Sequence, residues 1–181
     1  APTLHKYSIQ GFYPRLVEGE AIRLHPLVCK AFNADFDGDQ MSVHVLLTEE
    51  ALKEAEKDIL ASKNIVNISN GKVLATPAKD MLLGFYLMTD KNEIEKPRMY
   101  ASVREASRAY DQNIIDINEE ILVKIDGEVV STSVGRCIFN SILPEGYPFV
   151  NERVSGGKIS EIVQNIKDIY SMETVVNFLD D

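Results

Sequence analysis

Three carboxylates crowd into five positions at Asp35-Phe36-Asp37-Gly38-Asp39, and few backbones can use them together. On an extended strand they would share a face, with Asp35 and Asp39 roughly 13 Å apart. On a helix Asp35 and Asp39 would meet while Asp37 pointed away. Oxygen ligands lie about 2.0–2.1 Å from a Mg²⁺ ion, so neither regular geometry lets one ion gather all three. A tightly curled loop does, and Gly38 gives the backbone the freedom to curl. Without a cation, three anions held ~4–5 Å apart repel by about 1–4 kcal/mol per pair, depending on the local dielectric. A divalent ion turns that repulsion into attraction. An all-oxygen set selects a hard cation such as Mg²⁺, Mn²⁺ or Ca²⁺ over Zn²⁺ or copper. An acidic surface loop without metal stays open beside this reading.

Two other chemistries use similar spacings. In an EF-hand calcium loop starting at Asp35, Asp37 and Asp39 fit the third and fifth positions. The glycine required at the sixth is Gln40, and the glutamate required at the twelfth is Leu46. A phosphohydrolase of the haloacid dehalogenase type would make Asp35 the nucleophile and Asp37 the general acid. It needs a buried apolar strand before the motif, and Cys29-Lys30-Ala31-Phe32-Asn33-Ala34 makes a poor one.

The first fifty residues read as short strands and loops. Tyr13–Glu18 and Ala21–His25 are expected to form a hairpin about Gly19. Met41–Leu47 (MSVHVLL) reads as a strand buried on at least one face. Thr48 is a good N-cap, with Glu49 and Glu50 in the first turn of a helix expected to reach about Ala61. Residues 64–76 read as loop, with a turn at Asn70-Gly71. Pro77 suits the first position of a helix running to about Thr89. A polar connector over 90–97 and a helix over 102–110 follow. Asp126-Gly127 between Ile121–Ile125 and Glu128–Ser131 is a strong hairpin signal. Ser133–Leu143 is ambiguous between strand and helix, and Pro144, Gly146 and Pro148 break the chain. Ile159, Ile162, Val163, Ile166, Ile169 and Tyr170 recur at helical spacing as a core-facing stripe. Met172–Leu179 closes as a short helix. A boundary is expected near residue 75.

The chain has 181 residues, 45% of them hydrophobic, enough for a core in one domain or two small ones. Its net charge of −9 argues against free-standing nucleic-acid binding, which uses a basic surface. It fits a cation site, or a piece whose basic partners lie elsewhere. Cys29 and Cys137 are expected to be reduced core thiols, and the three histidines lack zinc-ligand spacing with them. His44 is expected to be a hydrogen-bonded structural residue. No apolar run reaches the ~18–20 residues of a membrane span. The opening Ala1-Pro2-Thr3-Leu4-His5 does not read as a natural start, so an internal piece of a longer polypeptide is expected.

The run Asn33-Ala34-Asp35-Phe36-Asp37-Gly38-Asp39-Gln40-Met41 resembles the active-site signature of the largest subunit of multisubunit DNA-directed RNA polymerases. The flanks agree: Ala1–His5, then Leu24-His25-Pro26-Leu27-Val28-Cys29, whose cysteine favours the bacterial branch. Asn64-Ile65, Asn70-Gly71, Pro77, Asp80-Met81 and Leu83-Gly84 continue the resemblance. Val134-Gly135-Arg136, Ile142-Leu143-Pro144 and Pro148-Phe149 extend it over essentially the whole chain. Ser42, Leu46 and Lys79 stand where bacterial members usually have Ala, Pro and Gln. RNA-silencing polymerases also carry a D-x-D-G-D loop, but their flanks are expected to lack the Leu24–Cys29 lead-in.

The resemblance implies an α+β fold. Residues 1–75 would be part of a double-psi β-barrel with the metal loop at 33–41, and 76–181 a mixed α/β pore-type domain. It implies that Asp35, Asp37 and Asp39 hold a catalytic Mg²⁺, a second Mg²⁺ arriving with the nucleoside triphosphate. It gives Asn33 a contact to the ribose hydroxyls; the plainer role is a turn residue capping the loop. It implies the β, α, ω and σ subunits, a DNA template and an RNA 3′ end as partners, in a bacterial cytoplasm or a plastid. Nothing resembles the family's bridge helix or trigger loop, so the isolated piece is expected to be inactive. A non-catalytic module binding calcium or a protein partner is the reading from another class.

Overall fold

A computed structural model describes residues 3–180; Ala1, Pro2 and Asp181, and with them the start of the Ala1–His5 run, lie outside the described residues. The fold is mixed α/β with one three-stranded sheet. The chain divides into two compact units, Ala1–Pro77 and Ala78–Asp181.

The first unit is built of helical turns and loops. Short 3₁₀ turns cover Lys6–Ser8, Pro26–Val28 and Ala61–Lys63. α1 is the single turn Cys29–Phe32, and α2 spans Glu49–Asp58. Thr48 caps α2 as expected: its hydroxyl accepts from the Ala51 N–H at 3.2 Å. The helix stops at Asp58, short of Ala61, and a 3₁₀ turn follows. Among the described residues, pairing in this unit is limited to isolated bridges, Gly11 with Leu60 and Val66 with Val73. The second closes a small turn at Asn70-Gly71, where the Gly71 N–H donates to the Asn67 carbonyl.

Two expectations fail here. Neither the hairpin about Gly19 nor the strand Met41–Leu47 forms. A strand is stabilised by a partner ladder and by packing of its apolar face, and both runs lack these within the described residues. Leu16 is 98% exposed, and Val43, Val45 and Leu47 are 72%, 78% and 90% exposed. His44, expected to be hydrogen-bonded, is likewise exposed, because the segment around it has no cover.

The second unit holds the sheet. β1 (Arg98–Tyr100) runs parallel to β2 (Glu120–Ile125), and β2 pairs antiparallel with β3 (Glu128–Ser133). Ile125 faces Glu128 across the turn. Asp126 and Gly127 both have positive φ, 50° and 93°, the requirement of a two-residue type I′ hairpin. β1 went unpredicted: three mostly exposed residues carry no alternating pattern. α3 (Asp80–Met88) begins three residues after Pro77, behind Lys79 at φ 51°, so Pro77 precedes the helix instead of starting it. α4 (Val103–Asp111) is capped by Ser102. The ambiguous stretch is helix α5 (Val134–Ser141), capped by Ser133.

The core of this unit gathers Ala106 and Ala109 of α4, Ile121 and Val123 of β2, and Val134 and Cys137 of α5. α6 (Gly156–Ile169) turns Ile159, Ile162, Val163 and Ile166 inward, and α7 (Met172–Asp180) buries Val175 and Phe178. The end of α3 is gripped by side chains. Asn118 donates to the Leu87 carbonyl at 2.6 Å, Arg136 to that of Thr89 at 2.9 Å and Ser133 to that of Asp90 at 3.1 Å. These satisfy carbonyls that a helix C-terminus leaves open. Gly135 lets α5 approach so closely that a Cβ there would lie 1.9 Å from the Met88 carbonyl oxygen. Among the described residues no helix is long and apolar enough to cross a membrane.

Candidate metal centre

The acidic loop grows out of α1. His25 caps the 3₁₀ turn ahead of it, its Nδ1 accepting from the Leu27 N–H at 3.2 Å, with Pro26 at the first helical position. One turn later the helix ends at Asn33, which adopts the left-handed conformation at φ 51°, ψ 44°. Asn tolerates that region better than most side chains. The Ala34 N–H closes the turn onto the Cys29 carbonyl at 2.9 Å. The turn role foreseen for Asn33 is therefore present. Its side chain is exposed and free to face a ligand. The sequence offered a signal for this helix in Pro26 near its start and Asn33 at its end.

Beyond Ala34 the chain curls on itself. The Asp35 N–H donates to Asp39 Oδ2 at 3.1 Å, and the Asp37 N–H donates to Asp35 Oδ1 at 3.3 Å. Gly38 sits at φ +122° with open space on the side a Cβ would take, so any other residue there would strain the bend. One carboxylate oxygen from each of Asp35, Asp37 and Asp39 lies within 4.8 Å of the others. Ligands about 2.1 Å from an octahedral ion stand roughly 3.0 Å apart in cis and about 4.2 Å in trans. A small inward movement of exposed side chains converts one arrangement into the other. The donor set is all oxygen and anionic, which suits a hard dication. The hydrogen bond and charge of Asp35 hold the Asp37 carboxyl above the usual carboxylate range, with a smaller contribution from Asp39. Such crowding is what a cation relieves.

The competing chemistries fare less well. The residues before the loop form helix α1, not the buried strand a haloacid dehalogenase-type site needs. The chain stays non-helical through Leu47, where an EF-hand would have begun its exit helix. Cys29 and Cys137 are free thiols. Burial pushes Cys137 up to about 11, so the thiol stays protonated at neutral pH.

Comparison with known proteins places this loop in a family. The profile described as RNA polymerase Rpb1, domain 2, matches residues 1–61, and that described as RNA polymerase Rpb1, domain 3, matches residues 64–181. The chain is 47% identical over 182 residues to the DNA-directed RNA polymerase subunit beta' of Sulfurihydrogenibium sp. (strain YO3AOP1). It is 46% identical over 192 residues to that of Tropheryma whipplei (strain TW08/27), and 45% identical over 183 residues to that of Aquifex pyrophilus. Each alignment covers 99% of this chain but 12–15% of the relative's length.

Proposed function

The chain belongs to the RNA polymerase Rpb1 (largest-subunit) family, and from that premise we propose that it carries the catalytic metal loop of a bacterial-type β′ subunit in DNA-templated RNA synthesis. One observation carries the reading: three carboxylates converge around Gly38, within 4.8 Å, inside the run NADFDGDQM. Asp35, Asp37 and Asp39 would hold the Mg²⁺ ion. Bound there, Mg²⁺ would supply Lewis-acid stabilisation of the attacking RNA 3′ oxygen, and a second Mg²⁺ would come with the nucleoside triphosphate. Asn33, at the root of the loop, contacts the ribose hydroxyls.

Residues 1–75 form part of a double-psi β-barrel. Exposed apolar residues at 12–22 and 43–47 support this, since runs of that kind call for partner strands. Residues 76–181 form the pore-type domain beside the RNA 3′ end. The β, α, ω and σ subunits complete the assembly and supply phosphate-binding cations, which a chain of net charge −9 does not. The site of action is the bacterial cytoplasm, or a plastid.

The test is nucleotide addition by polymerase assembled with the full-length subunit on an RNA-primed template. Asp37→Asn removes an anionic ligand while keeping its shape. The rate should fall by at least about 10³-fold, the scale of several kcal/mol of lost charge stabilisation. Addition within tenfold of wild type would remove the basis of the proposal.

A further inference from the structure

Helix α3 carries more apolar surface than its own unit covers. Of its nine residues only Asp80 is charged, and not one of the nine is buried. Its inward side is made by Leu82, Phe85 and, just past the helix, Thr89. Leu82 packs against the first turn of α6, where a Cβ on Gly156 would lie 3.1 Å from Leu82 Cδ1. Phe85 meets the Phe139 ring edge-to-face at 5.7 Å, and Thr89 is fully buried. On the opposite side Leu83 and Leu87, one turn apart, are 56% and 55% exposed. Gly84 sits between them, and among the described residues no atom of another element lies within 4 Å of the place its Cβ would take. Residues three and four apart share a helix face, so the three form one outward strip.

Glycine is the poorest helix former after proline, and no neighbour in this chain comes close enough to require it at position 84. A helix apolar on all sides sits in the core of a large protein or in a membrane. Nine residues rise only about 13.5 Å, less than half of the roughly 30 Å of a bilayer core, so the cover is protein. Past Asp80 no residue of the helix is charged, and a charge docked on this strip would lose its hydration without gaining a counter-ion. The fitting partner is therefore apolar. Leucines flanking a glycine make a ridge with a hollow beside it, a surface that lets a second helix come to the short end of the usual spacing of roughly 8–10 Å. The polypeptide to supply that helix is at hand, because this chain aligns with only 12–15% of each relative's length.

We infer that Leu83, Gly84 and Leu87 form a docking face for an apolar helix supplied by the same subunit outside residues 1–181, its backbone seated over Gly84. This rests on the reading that the chain is a piece of a β′ subunit, and it names the place where the rest of that subunit grips the second unit.

The test replaces Leu83 by the photo-crosslinking residue p-benzoylphenylalanine in the full-length subunit, irradiates the assembled polymerase and maps the adduct by mass spectrometry. The expected adduct is to an apolar helical segment of the same polypeptide outside 1–181. An adduct to another subunit, to a second copy, to nucleic acid or to residues within 1–181, or no adduct at all, would overturn the docking face. Gly84→Leu gives a second reading. In the 181-residue chain its melting temperature should stay level or rise, because the site is open and leucine favours helix. In the full-length subunit the same change should cut the yield of assembled polymerase by about fivefold or more, the effect of overpacking a close contact. An unchanged yield, or a lowered melting temperature of the chain, would equally overturn the face. If the unsubstituted subunit is not recovered in a DNA-dependent RNA polymerase, the β′ reading itself falls; if it is recovered and active while the adduct maps elsewhere, only the docking face falls.

Discussion

The two units differ in how they bury their apolar residues. In Ala78–Asp181, Ile121, Val123, Val134, Phe139, Ile159 and Ile166 are fully buried, whereas the core side chains of Ala1–Pro77 keep 6–8% of their surface. The second unit has a hydrogen-bonded sheet, capped helices and a gripped helix end. Apart from the capped helix α2, the first has short helical turns, isolated bridges and apolar runs facing solvent. A unit whose elements find partners within the chain reaches its structure locally; one whose apolar runs lack them keeps loops where its sequence reads strand. The acidic loop belongs to the less complete unit, yet its curl is made by local means: a left-handed residue, a glycine and two backbone-to-carboxylate hydrogen bonds.

The largest test of that contrast is Gly135→Ala. A Cβ 1.9 Å from a backbone carbonyl cannot be accommodated without separating α5 from the end of α3. The second unit should lose about 3 kcal/mol or more, measured by denaturant unfolding. A loss below 1 kcal/mol would mean the two helices do not meet in this way.

A paired substitution sharpens the comparison. Ile121→Ala, in the buried face of β2, should cost about 2–5 kcal/mol. Val45→Ala, at 78% exposure, should stay within about 0.5 kcal/mol in the isolated chain. In the full assembly the same Val45→Ala should become clearly destabilising if 41–47 gains a partner strand there. Equal, small effects in both settings would argue against the barrel.

The smallest effect is one of pH. Glu120 lies 2.7 Å from Lys91 Nζ and accepts from Ser131 at 2.5 Å. These contacts hold its carboxyl down at about 2, Lys91 contributing most. A carboxylate whose folded value lies below its unfolded value adds stability above the unfolded value, and loses it as pH falls through the folded one. The contribution should be intact above about pH 4.5 and fade toward pH 2. Glu120→Gln should flatten that part of the acid-unfolding curve of the second unit; an unchanged curve would show that the ion pair does not contribute.

Where the sequence was readable, short-range physics decided the outcome. Thr48 caps α2 with its hydroxyl, as its place before Glu49 and Glu50 predicts. Asp126-Gly127 dictates its hairpin, and the stripe that begins at Ile159 packs inward through Ile166, whereas Ile169, expected to continue it, is 70% exposed at the helix end. The failures share a cause. The alternation of Val43 and Val45 states a preference for a sheet without saying where the sheet is. Pro77 fits a helix start in principle, but Lys79 at positive φ defers the helix to Asp80. β1 is set by its pairing with β2, 20 or more residues on, and its own three residues carry no signal. At the acidic loop, the spacing of the aspartates and the place of Gly38 already demanded a curl. The single-turn helix beneath it depends on tertiary placement.

The central claim is that Asp35, Asp37 and Asp39 close on one hard dication. Anomalous diffraction from crystals of the assembled enzyme soaked in Mn²⁺ tests it directly. A peak about 2.1–2.3 Å from a carboxylate oxygen of all three residues is the predicted result. A map with no peak between them, or an ion touching one aspartate alone, would contradict it.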